Sequence, residues 1–127
     1  MQPVIIAVKP RFAELILSGV KTVEFRKTSC PAQKFYLYAT AQVKKIIGEC
    51  RVADRRQGNP DDIWNVSGAY GGITRAEFNA YYPGKNTAYA FILTDVKRYS
   101  VPKDLSDFGV KRAPQTFRHV VHDYEHN

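Results

Sequence analysis

The apolar positions open with an unbroken branched run, Val-Ile-Ile-Ala-Val at residues 4–8, which predicts a buried strand. The spacing then changes. Pro10 suits a first helical position, and Phe12, Ala13, Leu15 and Ile16 make one helical stripe. Gly19 ends that helix as a left-handed C-terminal cap would. Residues 22–26 alternate: Thr22, Glu24 and Arg26 share one side of a predicted strand, Val23 and Phe25 the other. Further on, Phe35, Leu37 and Ala39 alternate with Tyr36, Tyr38 and Thr40, predicting a half-buried strand with the second set on its polar side. Residues 46–53 read as another strand, with Gly48 marking a bulge.

The middle of the chain reads as a helical insertion between strands. Asn59 is a good N-cap before Pro60, so residues 61–66 are predicted as a short helix. Residues 68–72 are glycine-rich and read as flexible, and Thr74-Arg75-Ala76-Glu77 matches a capping box that starts a helix to about Tyr81. Residues 87–94 are the strongest late strand and continue to Tyr99. Pro102 and residues 104–109 read as loop, as do residues 113–117, with Val120-Val121 as a final strand or helical turn. Five or six short strands with few helices predict an α+β chain, mainly β: a small barrel with helices covering its ends.

The 127 residues suit a single domain over 1–127, with residues 119–127 as a flexible polar tail. A hydrophobic content of 44% excludes general disorder. Lysine and arginine outnumber the acids by 19 to 12, and a charge of +7 points first to a polyanionic partner, nucleic acid before membrane. No apolar run reaches the roughly 20 residues of a membrane helix. The start has no basic region followed by an apolar stretch, so no signal peptide is expected and a cytoplasmic location follows. Cys30 and Cys50 form no C-x-x-C and are expected as free thiols. His119, His122 and His126 cluster in the tail, where a fraying end explains them better than a metal.

Candidate chemistry concentrates in Ser18-Gly19-Val20-Lys21-Thr22-Val23-Glu24-Phe25-Arg26. Lys21 stands at the entrance of a strand carrying a hydroxyl, a carboxylate and a guanidinium on one face, and Lys9 at the preceding strand-to-helix corner. Such a cluster can grip a phosphate, polarise a carbonyl or move a proton. The alternative is a structural ion-pair network, with Glu24 bridging Lys21 and Arg26 to close the barrel; exposed pairs stabilise by only about 0–1 kcal/mol, so the cluster reads first as a site. Tyr38, Thr40 and Tyr89, on polar strand faces, suit base stacking or simply solvated strand positions. Gln115 and Thr116 can bond a base edge or cap a loop. Lys44-Lys45, Arg55-Arg56, Lys97-Arg98 and Lys111-Arg112 read as solvated charge, with one of them able to track a phosphate backbone, and Trp64 reads as core. No G-x-S-x-G, Walker glycine loop or H-E-x-x-H is present.

These residues resemble the ASCH domain family. The match runs through Ile6-Ala7-Val8-Lys9-Pro10, then the G-x-K-x-x-E-x-R of residues 19–26, Tyr38-Ala39-Thr40, Ile47-Gly48-Glu49, Ile73-Thr74-Arg75-Ala76-Glu77-Phe78, Ala88-Tyr89-Ala90 and Ala113-Pro114-Gln115-Thr116-Phe117. The resemblance implies a PUA-like β-barrel whose ligand is RNA or a modified nucleoside, held between the first helix and the barrel. It places Lys9, Lys21, Glu24 and Arg26 at the motif's charged positions, lining that cleft. Joined to the reading of the residues above, Lys21, Glu24 and Arg26 are the candidate catalytic residues and Lys9, Thr22, Tyr38, Thr40, Tyr89 and Gln115 the candidate binding residues. Two activities are implied within the family. One is RNA cleavage, here as a metal-independent ribonuclease on single-stranded RNA. The other is N4-acetylcytidine amidohydrolysis, which uses a lysine and a threonine three residues later. Lys21 matches that lysine, but Glu24 occupies the threonine position and Thr22 is two places out of register. A non-catalytic module that binds RNA or a modified base is the third possibility. No cofactor or metal is implied, and a monomer is favoured.

Overall fold

Two long strands carry the architecture. In a computed structural model, which describes residues 3–84 and 86–120, β4 (Lys45–Gly58) and β5 (Ala88–Lys103) pair antiparallel for most of their length. Around them lie β1 (Val4–Val8), α1 (Pro10–Leu17), β2 (Val23–Arg26), β3 (Lys34–Ala39), α2 (Pro60–Ser67), α3 (Arg75–Tyr81) and β6 (Phe117–His119). The strands form one sheet in the order β2-β5-β4-β3-β1-β6, with β1 and β3 parallel and every other pair antiparallel.

The sheet curls so that one face of β1, β3, β4 and β5 converges on a single core. Val4, Ile6, Val8, Phe35, Leu37, Ala39, Ile47, Cys50, Val52, Phe91 and Leu93 meet there under Ala13 and Ile16 of α1. This is the inner face. Among the described residues no strand ladder joins β2 to the β1–β6 edge; side-chain bonds span the gap instead. The Arg26 guanidinium on β2 donates to Ala7 O on β1 at 2.7 Å and to Thr116 O, beside β6, at 3.4 Å. The result is a barrel-like, mainly β fold with three helices.

Two further cores occupy the outer face. Val23, Phe25, Ala88 and Ala90 pack against Ile63 of α2 and Phe78 of α3. Ile5, Tyr36, Tyr38, Ile46 and Tyr99 are covered by Phe108, Val110 and Val120. β3 is therefore buried on both sides, not half-buried as its alternation predicts. Tyrosine side chains form the outer half of its core because the returning C-terminal segment lies over them, with Tyr36 edge-on to Phe108 at 4.6 Å between ring centroids.

The local rules read from the sequence set the helix starts. Asn59 Oδ1 accepts the Asp61 N–H, and Thr74 and Glu77 exchange both bonds of the capping box. Other boundaries move. β2 begins at Val23, one residue after Thr22. β4 continues through the charged 54–57 run to Gly58, and β5 through Pro102 to Lys103, because backbone pairing between the two strands sets their extent. The glycine-rich stretch forms a 3-10 turn at Gly68–Tyr70 and the predicted loop after β5 another at Leu105–Phe108. The last strand is β6, with Val120 buried just beyond it; Val121 and the rest of the predicted tail lie outside the described residues. Register shifts flank Gly48, as a bulge there requires. Cys30 and Cys50 are buried free thiols, and burial pushes Cys50 up to about 12. No helix among the described residues is long and apolar enough to cross a membrane.

Candidate functional site

The turn after α1 decides where Lys21 goes. Gly19 takes φ +83°, and its N–H bonds Ile16 O while the Lys21 N–H reaches back to Leu15 O at 2.9 Å. The chain is thereby folded under the helix end. Lys21 is not at an entrance but buried, its side chain 2% exposed. Its Nζ donates to Gly71 O at 2.5 Å and Val23 O at 2.8 Å, and lies 3.3 Å from Glu24 Oε1. The Phe12 and Phe25 rings flank it at 5.3 and 5.5 Å. Gly71 can present its carbonyl there because it has no side chain: a Cβ would sit 2.2 Å from the Phe25 ring. Burial lowers the Lys21 pKa below its ordinary value, while the Glu24 charge works to raise it.

Glu24 joins the two cations. Arg26 Nε donates to Glu24 Oε2 at 2.8 Å and Nη2 lies 2.7 Å from the same oxygen. Burial works to raise the Glu24 pKa, but the charges and hydrogen bonds of Arg26 and Lys21 outweigh it and hold the carboxyl below its ordinary range. Glu24 is an anion at neutral pH and a weak base. Arg26, with 13% of its side chain exposed, is the member of the trio that reaches solvent. The ion-pair reading is what the geometry shows: the trio helps close the sheet and places a guanidinium at its seam.

Strand register shows what lies beside the trio. Glu24 pairs with Phe91, and Phe91 with Arg55; Arg26 pairs with Tyr89, and Tyr89 with Gln57. Directly paired residues project to the same side. Two rows therefore cross the inner face of β2, β5 and β4: Glu24–Phe91–Arg55 and Arg26–Tyr89–Gln57. Arg55 and Gln57 were not selected by sequence reasoning, which ends the strand at Ala53. The register shift between Val52 and Asp54 brings Arg55, three residues after the inner-facing Val52, onto that face. An alternating Arg-x-Gln after a strand was the signal available.

The other predicted residues scatter. Tyr89 joins the inner rows, half-buried beside Arg26. Tyr38 does not: it is buried in the outer core, on the opposite face from Glu24 and Arg26, so it lines no cleft with them. Thr40 lies in the turn after β3, its N–H on Val8 O, and does not continue a polar strand face. Lys9 is exposed at the N-cap of α1, and Thr22 is exposed with its backbone bonded to Tyr70 and Leu93. Gln115 is exposed beside Thr116, whose carbonyl accepts from Arg26. Among the basic pairs, Arg98 is bonded to Glu14 and Lys45 to Asp104. His119 is exposed on β6, while His122 and His126 lie outside the described residues. Among the described residues, no cluster of three or more His, Cys, Asp or Glu is placed to hold a metal.

Comparison with known proteins bears on the family and the fold. Residues 1–111 match the profile of a family described as "Domain of unknown function (DUF365)". An ASCH domain-containing ribonuclease of Zymomonas mobilis is 35% identical over 94 residues, covering 72% of this chain and 64% of that protein. The large ribosomal subunit protein uL22 of Ureaplasma parvum serovar 3 is 29% identical over 123 residues, 94% of this chain. The chain spans 39% of the length of that ribosomal protein. The crystal structure of ASCH from Zymomonas mobilis superimposes with a TM-score of 0.86 at 29% identity, covering 94% of this chain and 87% of that one.

Proposed function

Because the chain belongs to the DUF365 family and is an ASCH domain, we propose that it binds single-stranded RNA on the inner face of β2, β5 and β4 and cleaves it there. One observation carries the reading: Arg26, ion-paired to Glu24 and reaching solvent, lies in register with the half-buried Tyr89. Cations beside aromatic rings are what a strand of RNA requires, one for its phosphates and one for its bases. The ribonuclease named among its relatives and the surplus of basic residues support the same ligand.

In the cleavage step, Arg26 meets the scissile phosphate and stabilises the charge that builds on its non-bridging oxygens. The 2′-oxygen attacks phosphorus, its proton passes to Glu24, and the 5′-oxygen leaves with a proton from water, giving a 2′,3′-cyclic phosphate. The lowered Glu24 pKa makes proton removal the weaker contribution and electrostatic stabilisation by Arg26 the larger. Lys21, whose Nζ is occupied by Val23, Gly71 and Glu24, acts as a positioning residue. A second reading, hydrolysis of an N4-acetylated cytidine, is favoured by the lowered Lys21 pKa, which brings its neutral amine within easier reach.

Purified protein in EDTA, given single-stranded RNA and separately N4-acetylcytidine, tests both readings against Arg26→Ala. The proposal expects RNA cut to cyclic-phosphate ends by wild type and at least tenfold slower by the variant, with the fold intact by circular dichroism. Equal cleavage by the two proteins contradicts the role of Arg26. Acetate release without RNA cleavage transfers the site to the second reading.

A further inference from the structure

Arg55 is held in place without being satisfied. Its Nε donates to Cys30 O at 3.0 Å, and its guanidinium carbon lies 5.8 Å from the centre of the Phe91 ring. Nη2 is buried and has no hydrogen-bond partner among the described residues. A buried charge-bearing donor left unpaired is costly, which makes it informative about what the site is built to meet.

Beside it is a cavity of about 160 Å³, lined by Ser29, Arg55, Arg56, Gln57, Tyr89 and Phe91. That is about ten times the ~10–15 Å³ a single water needs. No carboxylate appears among these lining residues, and Ser29, Gln57 and Tyr89 among them carry a hydroxyl, an amide and a phenol. Arg56 also lines the cavity, with its Nη1 bonded to Ser67 Oγ at 3.0 Å. Arg55 and Arg26 both act on the Cys30 thiol, so the cavity and the trio share one electrostatic neighbourhood.

We infer that this cavity is a phosphate subsite, with Arg55 as its charged donor and Ser29, Gln57 and Tyr89 as neutral partners. A phosphate there lies beside the Arg55 guanidinium, whose Nη2 no described residue pairs. The planar guanidinium, anchored through Nε and braced against Phe91, has its orientation fixed before the anion arrives. Resting on the RNA reading above, the subsite takes the phosphate of a nucleotide next to the one engaged by Arg26. Tyr89, in register with Arg26 and Gln57, stands between the two positions.

The test is nuclear magnetic resonance titration of the wild-type protein at constant ionic strength. The probes are inorganic phosphate, cytidine 5′-monophosphate and cytidine. The expected result is a saturable shift of the Arg55 Nε–Hε resonance and the Ser29 and Gln57 amides with both phosphates and not with cytidine. Arg55→Lys, which keeps the charge and loses the second nitrogen, should weaken binding at least tenfold; Gln57→Leu gives a second, milder loss if Arg55→Lys fails to fold. No saturable shift in wild type overturns the subsite, as does an identical response with cytidine. RNA binding without these shifts removes the subsite alone. Phosphate binding without any RNA binding keeps the subsite and removes the RNA reading.

Discussion

Tyr38 and Tyr89 sit in strands of the same sheet, and alternation patterns assign both to polar faces. Their surroundings are opposite. Tyr38 is 4% exposed, enclosed by Ile46, Tyr99 and the C-terminal segment on the outer face. Tyr89 is half-buried on the inner face, between Arg26 and Gln57 and on the wall of a cavity. One region spends its aromatic residues on packing, the other holds charged and aromatic groups side by side at an opening. The difference is made by what the chain does after the strand, not by the strand. A segment returns over β3, whereas Tyr89 stays half-buried and Gln57 exposed in their row.

Removing charge from the inner region should have the largest effect. Glu24→Gln leaves Lys21 and Arg26 buried without their common partner, and breaking a buried pair in this way costs about 3–5 kcal/mol. Urea unfolding at neutral pH measures it. The same variant sharpens the pH dependence. Glu24 titrates near 4.5 when unfolded and lower when folded, so its stabilisation is complete above 4.5 and lost as pH falls through the lower folded value. Wild type should therefore lose stability in that acid window more steeply than Glu24→Gln. Parallel acid limbs would mean the carboxylate is not held by the two cations.

The tyrosines come next. Tyr38→Ala opens the outer core and should cost about 3–5 kcal/mol, the range for truncating a buried aromatic side chain. Tyr89→Ala, already half-exposed, should cost distinctly less. Equal losses in urea unfolding would erase the contrast between the two regions.

Much of the fold was legible because it follows from local rules. Pro10, Gly19, Asn59 with Pro60, and the Thr74–Glu77 box each act within one helical turn, and the structure uses every one of them. The pairing of Lys21, Glu24 and Arg26 was also visible, since three ionic groups within six residues have few places to go. What was hidden depends on distant chain. Tyr38 is buried by Phe108, Val110 and Val120, seventy or more residues later. Lys21 is buried because Gly71 offers it a carbonyl, fifty residues away. Arg55 reaches the inner face through a bulge that pairing with β5 imposes, and a charged run gives no warning of it.

The most direct test of the account is the affinity of a single-stranded oligoribonucleotide for wild type, Tyr89→Ala and Tyr38→Ala, each measured on folded protein at one fixed salt concentration. The account predicts a loss of about 1–3 kcal/mol, roughly 5- to 150-fold, for Tyr89→Ala, the value of one base stacked on an aromatic ring. Tyr38→Ala should bind as wild type does. Unchanged affinity in Tyr89→Ala, or a loss confined to Tyr38→Ala, would contradict the assignment of the inner face as the RNA-binding surface.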